Sequence, residues 1–105
     1  AFHIEGADRE LNLFRIVQEA LTNAITHSHA RHIEISSGKT VSETGETLLC
    51  LTVSDDGTGL PKKLQKRGLG LRIMRNRAAM ADARLSIESS EEGTTVSVLL
   101  KENHA

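Results

Sequence analysis

The chain has 105 residues, 38% of them hydrophobic, which suits one domain with a modest core. Its 13 basic and 14 acidic residues leave a formal charge of -1, which argues against a general nucleic-acid or membrane-surface binder. The lone cysteine, Cys50, excludes an internal disulfide and a multi-cysteine metal site, and with neither a signal peptide nor an apolar run near the ~18 residues of a membrane span, a cytoplasmic domain is expected.

The first residues, "AFHIEG", lack a methionine and read as a strand already in progress over Phe2 to Glu5. The expectation is a single domain, residues 1–105, belonging to a longer protein. A helix follows from about Asp8 to Ser28, with Asp8 suited to cap it. Ile16, Val17, Ala20, Leu21, Ala24 and Ile25 recur in it at helical spacing and predict a buried face. Arg15, Glu19, Asn23 and His27 run through the same helix at steps of four. Residues four apart stand one above the other and drift by only ~40° per step. An apolar helix thus carries an aligned acid, amide and imidazole. The plain alternative is a half-exposed helix on which Arg15 and Glu19 form a surface pair.

A strand is expected at Arg31 to Ser37, a loop at "SGKTVSETGE", and a second strand at "TLLCLTVSD". The segment "DGTGLPKKLQKRGLG", rich in Gly and Lys and holding the only proline, Pro61, reads as a long loop. A second helix spans about Leu71 to Asp82. The strands "RLSIES" and "TTVSVLL" follow, joined by a turn at Glu91 to Gly93. Ile33 and Ile35, Leu85 and Ile87, and Val96, Val98 and Leu100 each alternate with polar neighbours. A sheet with one oily face needs one layer of helices. The fold class is therefore α/β: a two-layer sandwich whose mixed, mainly antiparallel sheet is covered by helices on one face. The alternation also puts Asp55 on the face of Leu49, Leu51 and Val53, and Thr94 on that of Val96 and Val98. Polar groups ending oily rows must be solvated, paired or used; fraying into turns is the simpler account of each.

Three sets of residues combine: Glu19 and Asn23 on the helix; "DDGTG" at Asp55 to Gly59 with "GLG" at Gly68 to Gly70; and "GT" at Gly93 and Thr94. In this order they resemble the GHKL ATPase superfamily, the Bergerat fold of sensor histidine kinases, gyrase, the MutL repair protein and the ninety-kilodalton heat-shock chaperone. The run "RIVQEALTNA", then "DDGTG", then "GLGLRIMRNRA" is most similar to the catalytic ATP-binding domain of nitrate-sensor-like histidine kinases. The resemblance covers about Leu11 to Leu100.

It implies a role for each matching position. Asn23 matches the asparagine that coordinates Mg²⁺, a hard cation suited to an amide oxygen. Glu19 matches the catalytic acid that orients or deprotonates a water near the metal. Asp55 matches the acceptor for the adenine amino group, and Thr94 the threonine that closes the adenine pocket. Gly57 and Gly59 would let backbone approach the nucleotide, while Gly68, Leu69, Gly70 and Leu71 would turn N–H groups at the second helix toward phosphates. His27 and Arg67 are placed to reach a phosphate. A departure is Thr26, where the family often has Lys; Lys62, Lys63, Lys66 and Arg67 can compensate. With 2% aromatic residues, adenine would lie between aliphatic chains such as Ile25, Ile73 and Met74.

Other patterns fail. "SSGKT" imitates a Walker A ending, but the upstream glycine position is Ile33. His27, His29 and His32 lack a carboxylate at convincing metal spacing. The reading is a Mg²⁺- and ATP-binding catalytic domain that passes the γ-phosphate to a histidine on an upstream dimerisation and phosphoacceptor domain of the same protein. A response regulator is the indirect partner, no nucleic acid is involved, and the full-length protein is a homodimer. The alternatives are an anti-sigma-factor-type serine kinase of the same fold, or a degenerate module that binds nucleotide weakly and contacts partners.

Overall fold

A computed structural model of the chain describes residues 7–59 and 70–101. The strand expected at Phe2 to Glu5 and most of the basic loop, with Arg67, Gly68 and Leu69, lie outside the described residues. Helix α1 spans Ala7–Thr26. It begins before Asp8, so Asp8 is not its cap. Together with Glu10, Asp8 lies in the first turn, where a negative charge meets the positive end of the helix dipole.

The faces of α1 follow from 100° per residue. Leu13, Ile16, Ala20 and Ala24 are buried, and Val17 and Leu21 are half-buried. Ile25, expected on the buried face, is 72% exposed. Nine residues after Ile16, it has turned ~180° away from it. The polar row takes the opposite path. Each step of four rotates it ~40°, from the flank onto the line of Ile16. Arg15 is accordingly exposed, Glu19 half-buried, and Asn23 only 6% exposed. Arg15 does not pair with Glu19; its Nη1 donates to Gln18 Oε1 at 2.8 Å.

Four strands, β1 (Ile33–Val41), β2 (Thr47–Asp55), β3 (Arg84–Ser90) and β4 (Gly93–Lys101), form a sheet in the order β1-β2-β4-β3. Every pairing among the described strands is antiparallel. The second strand has its expected bounds. The first starts later and runs on through the segment read as a loop, because Ser37 to Val41 pair with Leu51 to Thr47. Cross-strand bonding outweighs the Gly and Ser content there. The turn is confined to 42–46, where Ser42 N–H donates to Glu46 O at 2.8 Å.

Helix α2 spans Leu71–Met80, two residues shorter than expected. Asp82 takes a left-handed conformation (φ 53), and Ala83 N–H donates back to Ala78 O at 2.8 Å, closing the helix end. The helices are tied together where Arg77 Nη1 donates to Asn12 Oδ1 at 3.0 Å and Arg9 Nε donates to Ala81 O at 2.8 Å.

The core lies between these helices and one sheet face. It joins Leu13, Ile16 and Ala20 with Leu71, Met74 and Ala78, and both with Leu49, Val53, Val96, Val98 and Leu100. The two-layer α/β sandwich is therefore the observed architecture. Ile35 departs from expectation: it faces the same way as Val53 but is 53% exposed, since β1 is the outermost of the described strands on its side and lies beyond the helical cover.

Candidate functional site

The sheet register explains why Asp55 and Thr94 meet. Ile35, Val53, Val96 and Ile87 form one row across the four strands. Two residues on, the same pairing aligns Ile33, Asp55, Thr94 and Ser89. The same face therefore passes from an apolar row to one with an acid and two hydroxyls. Thr94 is 5% exposed, and its Oγ1 lies 2.9 Å from Ser89 Oγ. Asp55 is half-buried, and its Oδ1 accepts from Gly57 N–H at 2.9 Å. Among the described residues its Oδ2 has no hydrogen-bond partner.

The helical side of the site comes from the rotating row of α1. Glu19 reaches the start of α2, where Gly70 is the left-handed N-cap residue (φ 77) and no side chain caps the helix. A methyl group on Gly70 would collide with Glu19 Oε2. The glycine therefore lets the carboxylate stand at the positive end of α2. Leu71 is buried in the core, so only its backbone can face a ligand. His27 is half-buried, and its N–H donates to Asn23 O at 2.9 Å at the end of α1.

Beyond α1 the chain folds back onto the box that follows β2. His29 is left-handed (φ 55), which turns the backbone at this point. Ser28 is fully buried; its Oγ donates to Ala24 O at 2.8 Å. Its carbonyl accepts from Thr58 N–H at 2.8 Å and from Thr58 Oγ1 at 3.2 Å. A Cβ on Gly57 would strike that carbonyl, so the glycine makes room for the protein's own backbone. Asp56 completes the join. Its Oδ1 accepts from Arg31 N–H and His32 N–H, both at 2.9 Å, and its Oδ2 lies 2.8 Å from His32 Nδ1. These hydrogen bonds, led by that from the His32 backbone, lower the Asp56 pKa from the ordinary 3.8 to about 2.

The structure thus brings Glu19 beside Gly70, and Asp55 beside Thr94, at one end of the sandwich. Gly57 and Gly59 are buried within the box. The aliphatic slot changes: Met74 is wholly inside the core, while Ile25 and Ile73 are exposed. Sequence reasoning did not single out Ser28, Asp56 or Thr58, and the doubled acid in "DDG" was the only signal for the second of them. A shallow depression at the β3–β4 turn is lined by Ser54, Glu88, Glu92 and Thr95; Ser54, Thr95 and Glu88 pair in one row, on the sheet face opposite that of Asp55 and Thr94. A roomier cleft, with Val41, Glu46, Leu48, Arg84 and Lys101, holds none of the expected site residues.

The donor set can be tested against a magnesium ion. Glu19 and Asn23 offer a carboxylate and an amide oxygen from successive turns of one helix face, and both are hard ligands. Two protein oxygens with phosphate and water suit Mg²⁺, so these residues fit the ion.

Residues 8–104 match the family described as histidine kinase-, DNA gyrase B-, and HSP90-like ATPases. The chain is 33% identical over 96 residues to the signal transduction histidine-protein kinase/phosphatase UhpB of Salmonella typhimurium, covering 91% of this chain and 18% of that protein. It is 40% identical over 86 residues to a sensor protein NarQ homologue of Haemophilus influenzae, covering 81% of this chain and 14% of that one. It is 33% identical over 86 residues to the nitrate/nitrite sensor protein NarX of Escherichia coli, with 81% and 14% covered. The chain therefore spans less than a fifth of each of these relatives. Among solved structures, the histidine kinase domain of the Erythrobacter litoralis blue-light activated histidine kinase superposes with a TM-score of 0.67 at 26% identity, over 89% of this chain and 47% of that one.

Proposed function

Because the chain belongs to the histidine kinase-, DNA gyrase B-, and HSP90-like ATPase family, as a catalytic domain of the sensor histidine kinase type, we propose that it binds Mg²⁺ and ATP across the polar end of its sandwich. The parent protein would use it to transfer the γ-phosphate to a histidine on a separate helical dimerisation domain. The observation that carries this reading is the polar row of Asp55 and Thr94 at the end of an apolar face, with Glu19 and Asn23 on the helix packed over that face.

Asp55 accepts from the adenine amino group through Oδ2, since Gly57 N–H already holds Oδ1. Thr94 closes the base pocket, its hydroxyl oriented by Ser89. Asn23 would hold a Mg²⁺ ion, which would supply neutralisation of phosphate charge when bound. Glu19 orients a water or proton beside it. The N–H groups that open α2 face the phosphates, as a helix N-terminus favours. Arg67, Gly68 and Leu69 complete this part of the site in our reading, and His27 adds a phosphate contact. Catalysis is then mainly positioning and charge neutralisation. Among the described residues no helix is long and apolar enough to cross a membrane. We assign the domain to the cytoplasm of a homodimeric sensor kinase whose phosphohistidine supplies a response regulator.

Calorimetry with ATP, with and without Mg²⁺, tests the binding. Incubation with γ-labelled ATP tests the division of labour: this chain alone remains unlabelled, because His27 follows directly on the helix of Glu19 and Asn23 and its backbone N–H is bonded back to Asn23 O. Acid-labile label on the chain alone, lost in His27→Gln, would place the acceptor inside it.

A further inference from the structure

Position 56 is the open place in the D-x-G-x-G pattern, yet its carboxylate makes three hydrogen bonds to a segment more than twenty residues away. We propose that Asp56 is a positioning residue: by pinning residues 31–32 to the box, it fixes the direction in which Asp55 presents Oδ2 to the purine. This rests on the nucleotide reading above.

The argument is a chain of contacts. The rotation of the Asp55 carboxylate is set by the bond from Gly57 N–H to Oδ1. Gly57 has no side chain, so its place is set by its neighbours. On one side, Asp56 is held by Arg31 and His32 through its carboxylate, and its own N–H donates to His32 O at 3.3 Å. On the other, Thr58 is held by the Ser28 carbonyl through N–H and hydroxyl. Both anchors belong to residues 28–32, which continue directly from α1, and Ser28 is bonded back into that helix at Ala24. The base-binding acid is thereby joined by hydrogen bonds to the end of the helix of Glu19 and Asn23. Without the Asp56 carboxylate, one of the two anchors of Gly57 is reduced to the 3.3 Å bond from Asp56 N–H to His32 O, and Asp55 turns with it. A purely stabilising clasp would leave the base preference of the folded protein untouched. That difference separates the two roles.

The experiment compares ATP with purine riboside triphosphate, which lacks only the 6-amino group, by calorimetry with Mg²⁺. The unsubstituted chain prefers ATP by about tenfold or more, the worth of one hydrogen bond to a charged acceptor. Asp56→Ala loses most of that preference while the weaker nucleotide binds nearly as before. Asp56→Asn keeps it, because an amide oxygen still accepts from the Arg31 and His32 N–H groups. If Asp56→Ala does not fold, Asp56→Ser takes its place, and failure of both to fold overturns the proposal in favour of a folding role. A folded Ala or Ser variant that retains the full preference, or an Asn variant no better than Ala, also overturns it. Absence of ATP binding by the unsubstituted chain would instead overturn the nucleotide reading.

Discussion

Two neighbouring rows of the sheet share strands, register and face, and do opposite things. The row of Ile35, Val53, Val96 and Ile87 lies under or beside the helices, and its two central members are 5% exposed. The row of Ile33, Asp55, Thr94 and Ser89 is one pleat repeat along. There the helices give way to the left-handed turn at His29 and to the box that Ser28 O holds through Thr58. The backbone hydrogen-bond pattern cannot distinguish them. Side chains and their cover decide where the fold stops and the site begins.

The largest effect is expected from moving the acid one repeat inward. Val53→Asp buries an unpaired carboxylate among Leu49, Val96 and α1, a cost above about 3 kcal/mol. Urea titration should show a chain that is unfolded or nearly so. A midpoint within error of the unsubstituted protein would mean that this row is not core. Next comes Asp55→Asn, which leaves the thermal midpoint nearly unchanged because an amide oxygen still accepts from Gly57 N–H. It weakens ATP and ADP alike by about ten- to hundredfold, the range for a hydrogen bond to a charged group. Equal affinities in calorimetry would remove Asp55 from the base site.

A smaller and more selective loss is expected from Asn23→Ala. It should weaken binding of ATP with Mg²⁺ much more than binding of metal-free ATP. Equal losses would show that Asn23 only supports the fold. The smallest effect lies in acid. The folded-state pKa of Asp56, about 2, is below its ordinary 3.8. The unfolded chain therefore binds more protons between these values, and stability rises with pH across them. This contribution is complete above about pH 4 and lost toward pH 2. Asp56→Asn should flatten that part of the urea-midpoint profile while leaving its form above pH 5 unchanged. A parallel profile would show that the carboxylate charge contributes nothing.

The face of each strand residue was legible in the sequence because that signal is local, whereas the register that aligns the rows was not. Alternation over "TLLCLTVSD" gave the bounds of β2 and put Asp55 on the core face. Spacing by four gave the row through Glu19 and Asn23, and its slow drift accounts for their unequal burial. The end of β1 was not legible, because Gly38 and Lys39 are held in a strand by partners at Cys50 and Leu49 rather than by their own preference. The Asp56 clasp was not legible either. Its donors are backbone N–H groups 24 and 25 residues away, and backbone donors look the same at every position. Ile25 misled because apolar character was counted without following the helix round to ~180°.

The strand order also governs when the site can exist. The β1–β2 and β3–β4 pairs are hairpins closed by short turns, so each can form early. Joining β2 to β4 brings together residues as far apart as Leu48 and Lys101, and it alone puts Asp55 opposite Thr94. That closure spans α2 and the glycine-rich loop, and its entropic cost is met only when the apolar rows dock. The binding row is thus complete only in the assembled four-stranded sheet and absent from either hairpin. A ligand that recognises it selects the completed sheet, and at saturating concentration slows its unzipping between the two central strands.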